Sequence, residues 1–429
     1  MLIRFCTFSF TIIAGFFLCS TISFAQENVS PVYRFYSFKN KAHFFTASES
    51  EKDRIISRSS DRWRYEGIAF YVPDTPTGNR PVYRFYSLQH KAHFFTASES
   101  EKDRIISRSS DRWRYEGIAF YVPDISPPPN YGPSITVGLW SFTRSELRDD
   151  SFRIDADKSY VIKNISGTVL ATIPKDVTTR VKYLSDGNLR VYESVPEDIV
   201  VSKEVFFEPA DGNLSDIIFD VHKPNSSYDD YRGQIKLRYS DTSKNIWVIN
   251  DLPMELYLWG FGEITGTGDD DHDRAMVTAA RTYAYWKLLY STKHATEGFK
   301  IDTTAGDQIY RGYVWEQAYP DIKKAAGVTR GKVLKHGSDI ALSPYSSWTD
   351  GRTRSFQERW GSTLYPWCQS VPDPYGKHPS KSTAQLESEG NHMVGISANG
   401  SLRAATDHGW SWERILTYYL TDVVITNVY

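Results

Sequence analysis

One glutamate in an unusual local setting is the strongest candidate for chemistry in this sequence. Glu263 follows residues 258–262, a run of leucine, tryptophan, phenylalanine and two glycines. Apolar surroundings disfavour the ionised form of a carboxyl group and raise its pKa, and a carboxyl that is protonated near neutral pH can serve as a general acid. The competing interpretation is a helix-end glutamate in water, because most carboxylates in such settings have structural roles.

Two predicted helices must position Glu263. Pro253 suits the first turn of the first helix, since its missing N–H costs nothing there, and the glycines before Glu263 end that helix. Residues 269–273 are an acidic start to the second helix, residues 274–289. They lack the alternate spacing and closing glutamate of an EF-hand, so they predict a helix cap. Arg281 in the second helix needs a carboxylate partner if it is buried.

Length, charge and cysteine content limit the classes of function that this protein can have. The chain has 429 residues, which is enough for two or three domains, and a formal net charge of −2, which gives no basic field for nucleic acid. Cys368 is the one cysteine that follows the leader described next, so no internal disulfide forms and a cysteine-based zinc site is disfavoured. We predict no metal and no cofactor.

The first 25 residues have the organisation of a secretory signal peptide. Arg4 supplies a positive start, residues 8–18 are apolar but too short to span a bilayer, and Ser23 and Ala25 are the small residues of a cleavage site. No later segment is long and apolar enough to span. We therefore expect an exported protein, periplasmic or extracellular and associated with the cell wall, with no membrane span in its mature form.

Residues 31–74 recur at residues 81–124 with a period of 50. Each copy begins with the strand PVYRFYS, continues into a short helix with a capping-box spacing, and closes with the strand WRYEGIAFYV. The unit resembles a short secreted repeat of uncharacterised function that is often found beside exported hydrolases. His43, His93 and exposed aromatic residues are candidates for glycan binding; alternatively, the aromatic residues form the core and the histidines hold turns.

The remaining segments predict an α+β fold. Residues 125–132 form a proline-rich linker, and residues 133–250 contain short alternating or β-branched runs that predict a β-rich scaffold. Residues 231–237 and 245–249 read as a hairpin. Residues 251–429 carry the candidate chemistry, so the predicted architecture is a mixed catalytic domain on a β-rich scaffold, preceded by two small β-rich repeats.

Six motifs in the second half resemble, in order, those of the stage II sporulation protein D and amidase-enhancer family. They are PMELYLWGFGEI with AMVTAARTYAYW (253–264 and 275–286), QIYRG (308–312), AAGVTRGKVL (325–334), PYSS with GRT (344–347 and 351–353), GNHMVGIS (390–397) and a closing helix over 412–419.

This resemblance implies an exported lytic transglycosylase. Such an enzyme cleaves peptidoglycan glycan strands, preferably strands stripped of peptide, between N-acetylmuramic acid (MurNAc) and N-acetylglucosamine (GlcNAc), and leaves 1,6-anhydroMurNAc ends. The catalytic glutamate of the family falls on Glu263, and its mechanism needs one carboxylate. A hydrolase would need a second carboxylate at a defined separation. Glu255 is the nearby candidate, and we expect it to have a structural or secondary role.

Further residues on the matching motifs are predicted to bind substrate: Arg281, Tyr345, Ser346, Ser347, Thr353 and His392. Each has a structural alternative. Arg281 either orients Glu263 or forms an ion pair, the hydroxyl groups either bind sugar or hold turns, and His392 either lines the cleft or stabilises its own turn.

Two other functions compete with the enzyme. The first is a non-catalytic protein that binds cell-wall glycan with the same cleft, with a cell-wall amidase as the partner it stimulates. The second is an adhesin-like protein whose repeats bind a surface glycan while the C-terminal fold is a scaffold. The presence of Glu263 in apolar surroundings favours the enzyme.

Overall fold

The computed structural model describes residues 29–429, apart from residues 60, 75, 77–78, 109–110, 124–129 and 267. The chain divides into two compact units, Met1–Pro129 and Asn130–Tyr429. The predicted signal peptide and residues 125–129 of the predicted linker lie outside the described residues. Among the helices that are described, none is long and apolar enough to cross a membrane.

The first unit contains two copies of one small fold. The first copy comprises β1 (Val29–Ser37), β2 (Ala42–Thr46), α1 (Glu49–Arg58) and β3 (Trp63–Pro73), and the second comprises β4 (Asn79–Ser87), β5 (His93–Thr96), α2 (Glu99–Arg108) and β6 (Trp113–Pro123). Each copy is an antiparallel three-stranded sheet, in the orders β2-β1-β3 and β5-β4-β6.

Each repeat has one strand more than its sequence pattern indicated. The segment before the helix forms β2, in which Phe44 lies opposite Phe35 of β1. Phe44 is 3% exposed and packs against Trp63, so burial of this ring holds the short strand in place. The helix begins where its capping spacing predicted, since the Ser48 hydroxyl accepts a hydrogen bond from the Glu51 N–H.

The second unit begins with a β-rich part. Its elements are β7 (Ser134–Phe142), α3 (Arg144–Asp149), β8 (Phe152–Ala156), β9 (Tyr160–Asn164), β10 (Val169–Ile173), β11 (Thr179–Tyr183), β12 (Asn188–Tyr192), β13 (Ile199–Ser202), β14 (Glu204–Pro209), β15 (Phe219–Asp220), β16 (Asp230–Tyr231), β17 (Gln234–Tyr239) and β18 (Ile246–Pro253).

Helices and short strands follow. They are α4 (Met254–Trp259), α5 (Asp270–Tyr290), β19 (Ile301–Asp302), α6 (Gly312–Ala318), α7 (Pro320–Val328), β20 (Lys332–His336), β21 (Asp339–Ile340), β22 (Tyr345–Ser346), α8 (Phe356–Trp360), α9 (Thr383–Ser388), β23 (Ile396–Ser397), α10 (Ala398–Thr406), α11 (Trp412–Tyr419) and β24 (Val424–Asn427).

Two larger sheets form the scaffold. One has the order β10-β9-β14-β17-β18-β7-β19 and the other the order β13-β12-β11-β8-β15-β16. The predicted hairpin is present as β17 and β18, which pair antiparallel. β18 runs directly into α4, so the central sheet fixes the place where the chain approaches Glu263.

The helix α5 lies at the centre of the second half. It begins at Asp270, one turn before the predicted start, because the Asp269 side chain caps it by accepting from the Asp271 N–H. Its small residues, including Ala279 and Ala280, are fully buried and let α4, α7, α10 and α11 pack around it. The mixture of sheets and packed helices confirms the predicted α+β class.

Candidate active site

A cleft of about 620 Å³ brings together most of the predicted site residues. Glu263 lines it from the turn after α4, and Tyr345, Ser346 and Ser347 line it from β22 and the residue that follows. His392 contributes from the turn before β23. Motifs that are far apart in sequence therefore meet around one carboxylate.

The turn that carries Glu263 is clamped against a second segment of main chain. The Gly262 N–H donates to the Ile309 carbonyl (2.8 Å), and the Arg311 N–H donates to the Gly260 carbonyl (2.9 Å). A Cβ atom at Gly260 would lie 2.8 Å from main-chain atoms of Gly312, so only glycine permits this approach. The clamp fixes the direction in which the carboxylate leaves the main chain.

Neutral donors hold the Glu263 carboxylate. Its Oε1 accepts from the Ile309 N–H at 2.7 Å, and the Tyr345 hydroxyl also donates to the carboxylate. Burial raises the pKa of Glu263 above its usual value of 4.5, and these two hydrogen bonds offset only part of that effect. Glu263 is thus biased towards the protonated form while part of its surface remains open.

A chain of hydrogen bonds orients the Tyr345 hydroxyl. The Tyr257 hydroxyl donates to Gln308 Oε1 (2.9 Å), and Gln308 Nε2 donates both to the Ala280 carbonyl (3.2 Å) and to the Tyr345 hydroxyl oxygen (3.0 Å). Because Tyr345 accepts from Gln308, its own proton is free to point at Glu263. Burial and the neighbouring Glu263 carboxylate raise the pKa of Tyr345 well above its usual value, so it remains a donor.

A second cleft, of about 300 Å³, meets the first at Glu263. It is lined by Glu263 and Ser347, which also line the larger cleft, and by residues near the start of α5 and on α10, among them Asp273 and Leu402. The glutamate therefore borders two depressions.

Asp307 is a second carboxylate at the larger cleft, and it is not among the residues predicted from the sequence. Its side chain is fully buried and receives hydrogen bonds from Lys287, Lys293 and His294. Burial opposes its ionisation, but the bonds from Lys287, the Asp302 N–H and Lys293 outweigh that effect and lower its pKa. Asp307 is therefore a covered anion that anchors two lysines, and it has no surface to offer a ligand.

Asp273 is the corresponding carboxylate of the smaller cleft. Burial, followed by the nearby Asp321, Asp270 and Asp269 carboxylates, raises its pKa to about 6. It is 3% exposed, however, and lies in the first turn of α5. Of the carboxylates named so far, Glu263 alone combines a raised pKa with an accessible surface.

The structure corrects the prediction for Arg281. Its side chain is fully buried and lines neither cleft. Its Nε donates to Glu255 Oε1 (2.8 Å) and its Nη2 to Glu255 Oε2 (2.9 Å), while Nη1 bonds Thr329. Arg281 is thus half of a buried ion pair and cannot touch substrate. Glu255 has the structural role that the sequence analysis expected.

Thr353 also lies outside both clefts and is fully buried. Its hydroxyl donates to the Gln369 carbonyl (3.2 Å) and accepts from the Val371 N–H (2.8 Å). The prediction that it binds substrate is wrong, because its hydrogen-bonding capacity joins two loops.

His392 lines the cleft but is engaged with main chain. Its Nδ1 accepts from the Val394 N–H at 3.0 Å, and the ring also bonds the Tyr345 main chain. Burial lowers the pKa of His392 to about 4, so the ring is neutral at neutral pH. His392 therefore holds the Tyr345 segment in place and lines the cleft with a neutral ring.

Ser346 is the clearest candidate for a direct ligand contact. Its hydroxyl oxygen is buried and has no hydrogen-bond partner within the described part of the chain. Buried hydroxyl groups in native structures are nearly always satisfied, so this one would gain a partner if rotation about the Cα–Cβ bond turned it towards a ligand in the cleft. Ser347 is exposed next to it, and its carbonyl accepts from Asn399.

Aromatic side chains form one wall of the larger cleft, and the sequence analysis did not identify them. Trp360 is 45% exposed there and packs on the His392 ring at 5.0 Å, and Phe356 packs on Trp360 at 4.5 Å. An exposed tryptophan held rigidly by two rings is a suitable surface for a sugar ring. The signal in the sequence that could have revealed this wall was a tryptophan beside charged residues in the helix after the serine loop.

Elsewhere in the part of the chain that the structure describes, two clusters have a spacing that could hold a cation. They comprise Asp155, Asp220 and His222, and Asp220, Asp229 and Asp230. In the first cluster His222 Nε2 already bonds Asp155 at 2.7 Å. None of these residues lines either cleft.

Comparison with known proteins gives two matches to families and one to a single protein. Residues 16–123 match the Domain of unknown function (DUF5648), and residues 242–336 match the Stage II sporulation protein family. The chain is 33% identical over 91 residues to the Amidase enhancer of Bacillus subtilis (strain 168). That match covers 21% of this chain and 11% of the relative.

The family match includes the turn that carries Glu263, the buried pair of Glu255 and Arg281, and Gln308, whereas Tyr345 and His392 lie beyond it. Both the family match and the protein match agree with the resemblance that the motifs indicated. The segment of this chain that is similar to the Stage II sporulation protein family is thus residues 242–336.

Proposed function

We propose that this protein is an exported lytic transglycosylase that cleaves peptidoglycan glycan strands, preferably strands without stem peptides, and leaves 1,6-anhydroMurNAc ends. The observation that carries the proposal is the position of Glu263: a carboxyl group with a raised pKa and no cationic hydrogen-bond partner among the described residues, on the border of two clefts. The family match supports a role at the cell wall, since the relative is named an amidase enhancer.

The proposed reaction uses Glu263 twice. The protonated carboxyl gives its proton to the glycosidic oxygen, so the bond from C1 of MurNAc to that oxygen breaks and GlcNAc leaves with a free hydroxyl. The C6 hydroxyl of the same MurNAc forms a new bond to C1, and its proton passes to the Glu263 carboxylate. The enzyme returns to its starting protonation state and no water is consumed, so one carboxylate suffices.

The surroundings of Glu263 suit both steps. Burial favours the protonated carboxyl before the reaction, and the Ile309 N–H and the Tyr345 hydroxyl stabilise the carboxylate after the proton has left. Ser346 is placed to bond a hydroxyl or N-acetyl group, and Trp360 to support a sugar ring. Ser347 lines both clefts and is placed to contact the strand on either side of the cleaved bond.

A digest of amidase-treated peptidoglycan tests the proposal. The wild type and Glu263→Gln are incubated with the stripped strands, and 1,6-anhydroMurNAc ends are quantified by mass spectrometry. Loss of a positioned acid is expected to slow release about 10²- to 10⁴-fold. Glu389→Gln is the matched control, because Glu389 lines the same cleft but is exposed and paired with Lys381 (2.6 Å). The proposal fails if the wild type releases no such ends. It also fails if Glu263→Gln releases them as well as the wild type does.

The name of the relative supports a second candidate, a non-catalytic enhancer that binds wall glycan with the same cleft and stimulates an amidase. This function needs the cleft but not the proton of Glu263. It predicts that Glu263→Gln stimulates a purified cell-wall amidase on intact peptidoglycan as well as the wild type does. Trp360→Ala is expected to remove stimulation in this case, because the cleft would lose its exposed aromatic wall.

A further inference from the structure

The two repeats of the first unit meet through two different faces and, beside them, through equivalent phenylalanines: Phe45 packs on Phe95 (6.1 Å) and Phe70 on Phe120 (5.8 Å). The helix face of the first repeat consists of Phe44, Glu51, Arg54, Ile55 and Trp63, and the strand face of the second repeat consists of Arg84, His93 and Glu116. The two faces enclose a cleft of about 390 Å³. Because the period is 50, each repeat carries both faces: the second has its own helix face (Phe94, Glu101, Arg104, Ile105 and Trp113), and the first its own strand face (Arg34, His43 and Glu66).

Charge and aromatic contacts join the faces that meet. The Arg84 guanidinium bonds Glu51 of the first repeat at 2.9 Å and lies over the Phe44 ring, 5.3 Å from its centroid. The His93 ring packs on the same phenylalanine at 4.6 Å. Arg84 also pairs with Glu116 at 3.0 Å, so it links the carboxylates of both repeats.

This interface is heterologous. A two-fold arrangement would also pair Arg34 with Glu101, since these residues correspond to Arg84 and Glu51. Instead, Arg34 pairs with Glu66 of its own repeat (3.0 Å), and Glu101 pairs with Arg104 of its own repeat (3.3 Å). The second repeat therefore follows the first head to tail, and one face of each kind remains unused.

The exposed fractions of the side chains show that the two unused faces are accessible to solvent. The Arg34 side chain is 44% exposed and that of His43 is 46% exposed, against 17% for Arg84 and 15% for His93. On the helix faces, Phe44 is 3% exposed, whereas Phe94 is only half-buried. Terminal units of a stacked array normally carry altered, polar outer faces, but here the outer faces keep the residues of the inner ones.

We propose that a second copy of this chain binds at these faces, with the strand face of its first repeat on the helix face of the second repeat. The residues that would meet are the same types that already meet within one chain, with Arg34 taking the place of Arg84 and Glu101 that of Glu51. A heterologous contact of this kind extends into rings or open chains of molecules and does not stop at a dimer. The expected association is head-to-tail self-assembly through the repeats.

A pair of charge-reversal variants tests the proposal in the full mature chain. Sedimentation velocity over a micromolar-to-millimolar range is expected to show concentration-dependent growth of the wild type. Arg34→Glu and Glu101→Arg each place like charges in the new contact and are expected to weaken association about tenfold. An equimolar mixture of the two variants restores opposite charges at every contact, so association is expected to return towards the wild-type level.

The mixture makes the test independent of any folding defect in one variant, because an unfolded chain cannot restore association. Lys175→Glu is the matched control: it makes the same charge change at a 69% exposed side chain outside the repeats and is expected to leave association unchanged. A wild type that stays monomeric over the whole range would overturn the proposal. So would a mixture that associates no better than its components, or a Lys175→Glu chain as impaired as Arg34→Glu.

Discussion

Two glutamates at either end of one short segment, Glu255 and Glu263, are in opposite environments. Glu255 lies in α4 and is 1% exposed. Its carboxylate accepts hydrogen bonds from Nε and Nη2 of Arg281, from the Gly331 N–H (3.1 Å) and from the Tyr429 hydroxyl (2.7 Å). Glu263 faces two clefts and is held by two neutral donors, the Ile309 N–H and the Tyr345 hydroxyl.

The difference separates a carboxylate that stabilises the fold from one that remains accessible. Glu255 has a cationic partner and a full set of hydrogen-bond donors, and it joins α4, α5 and Tyr429. It has no hydrogen-bonding capacity left for a ligand. A carboxylate with two neutral donors retains oxygen surface for a ligand and a raised pKa. The same residue type therefore supports the fold at one position and is available for proton transfer at the other.

The largest expected effect is on the structural glutamate. Glu255→Gln leaves Arg281 buried without its partner, and breaking a buried pair costs about 3–5 kcal/mol. Urea denaturation of Glu255→Gln should show this loss of unfolding free energy, and urea denaturation of Glu263→Gln should not. A Glu255→Gln chain as stable as the wild type would remove the contrast between the two glutamates.

The next effect concerns the hydroxyl that supports Glu263. Tyr345→Phe removes a hydrogen bond to a carboxylate worth about 1.5–3 kcal/mol, so anhydro-end release should fall about 10- to 100-fold. Because that bond lowers the pKa of Glu263, its loss raises the pKa further, and the alkaline limb of the pH–rate profile should move to higher pH. Tyr283→Phe, in the same cleft, is the control. An unshifted profile would contradict this role for Tyr345.

A smaller effect is expected at the unpartnered serine. Ser346→Ala should change the unfolding free energy by about 0–0.5 kcal/mol, since its hydroxyl has no partner among the described residues. It should raise KM about 2- to 10-fold through the loss of one hydrogen bond to the sugar. Ser343→Ala is the matched control, because the buried Ser343 hydroxyl donates to the Ala279 carbonyl (2.8 Å) and its loss should reduce stability without affecting KM.

The smallest effect is a dependence of stability on pH. The pKa of Glu263 is raised in the folded state, so its contribution to stability is complete below the usual value of 4.5 and is lost as the pH rises through the raised value. Glu263→Gln has no such titration, so its stability relative to the wild type should increase with pH in that window. Thermal denaturation of both chains from acidic to neutral pH measures the trend, and a constant difference would contradict a shielded carboxyl.

Local patterns in the sequence predicted several elements because their causes are local. The caps at Ser48 and Asp269 depend on hydrogen bonds within one turn, and the β17–β18 hairpin depends on two adjacent runs. The motifs that contain Arg281 and Thr353 predict contacts with substrate, but the hydrogen-bond partners of these two side chains cannot be read from the motifs. Those partners, Glu255, Gln369 and Val371, come from other segments that only the folded chain brings close.

The sequence alone determined that a glutamate would stand among apolar residues between two helices, and that the N-terminal repeat would occur twice with both of its contact faces intact. Only the tertiary structure decided which carboxylate keeps its surface and which is enclosed. The exposure, the hydrogen-bond partners and the pKa of a carboxylate depend on segments that are far apart in the chain. Glu255 is bonded by Arg281 and Tyr429, whereas Glu263 is bonded by Ile309 and Tyr345.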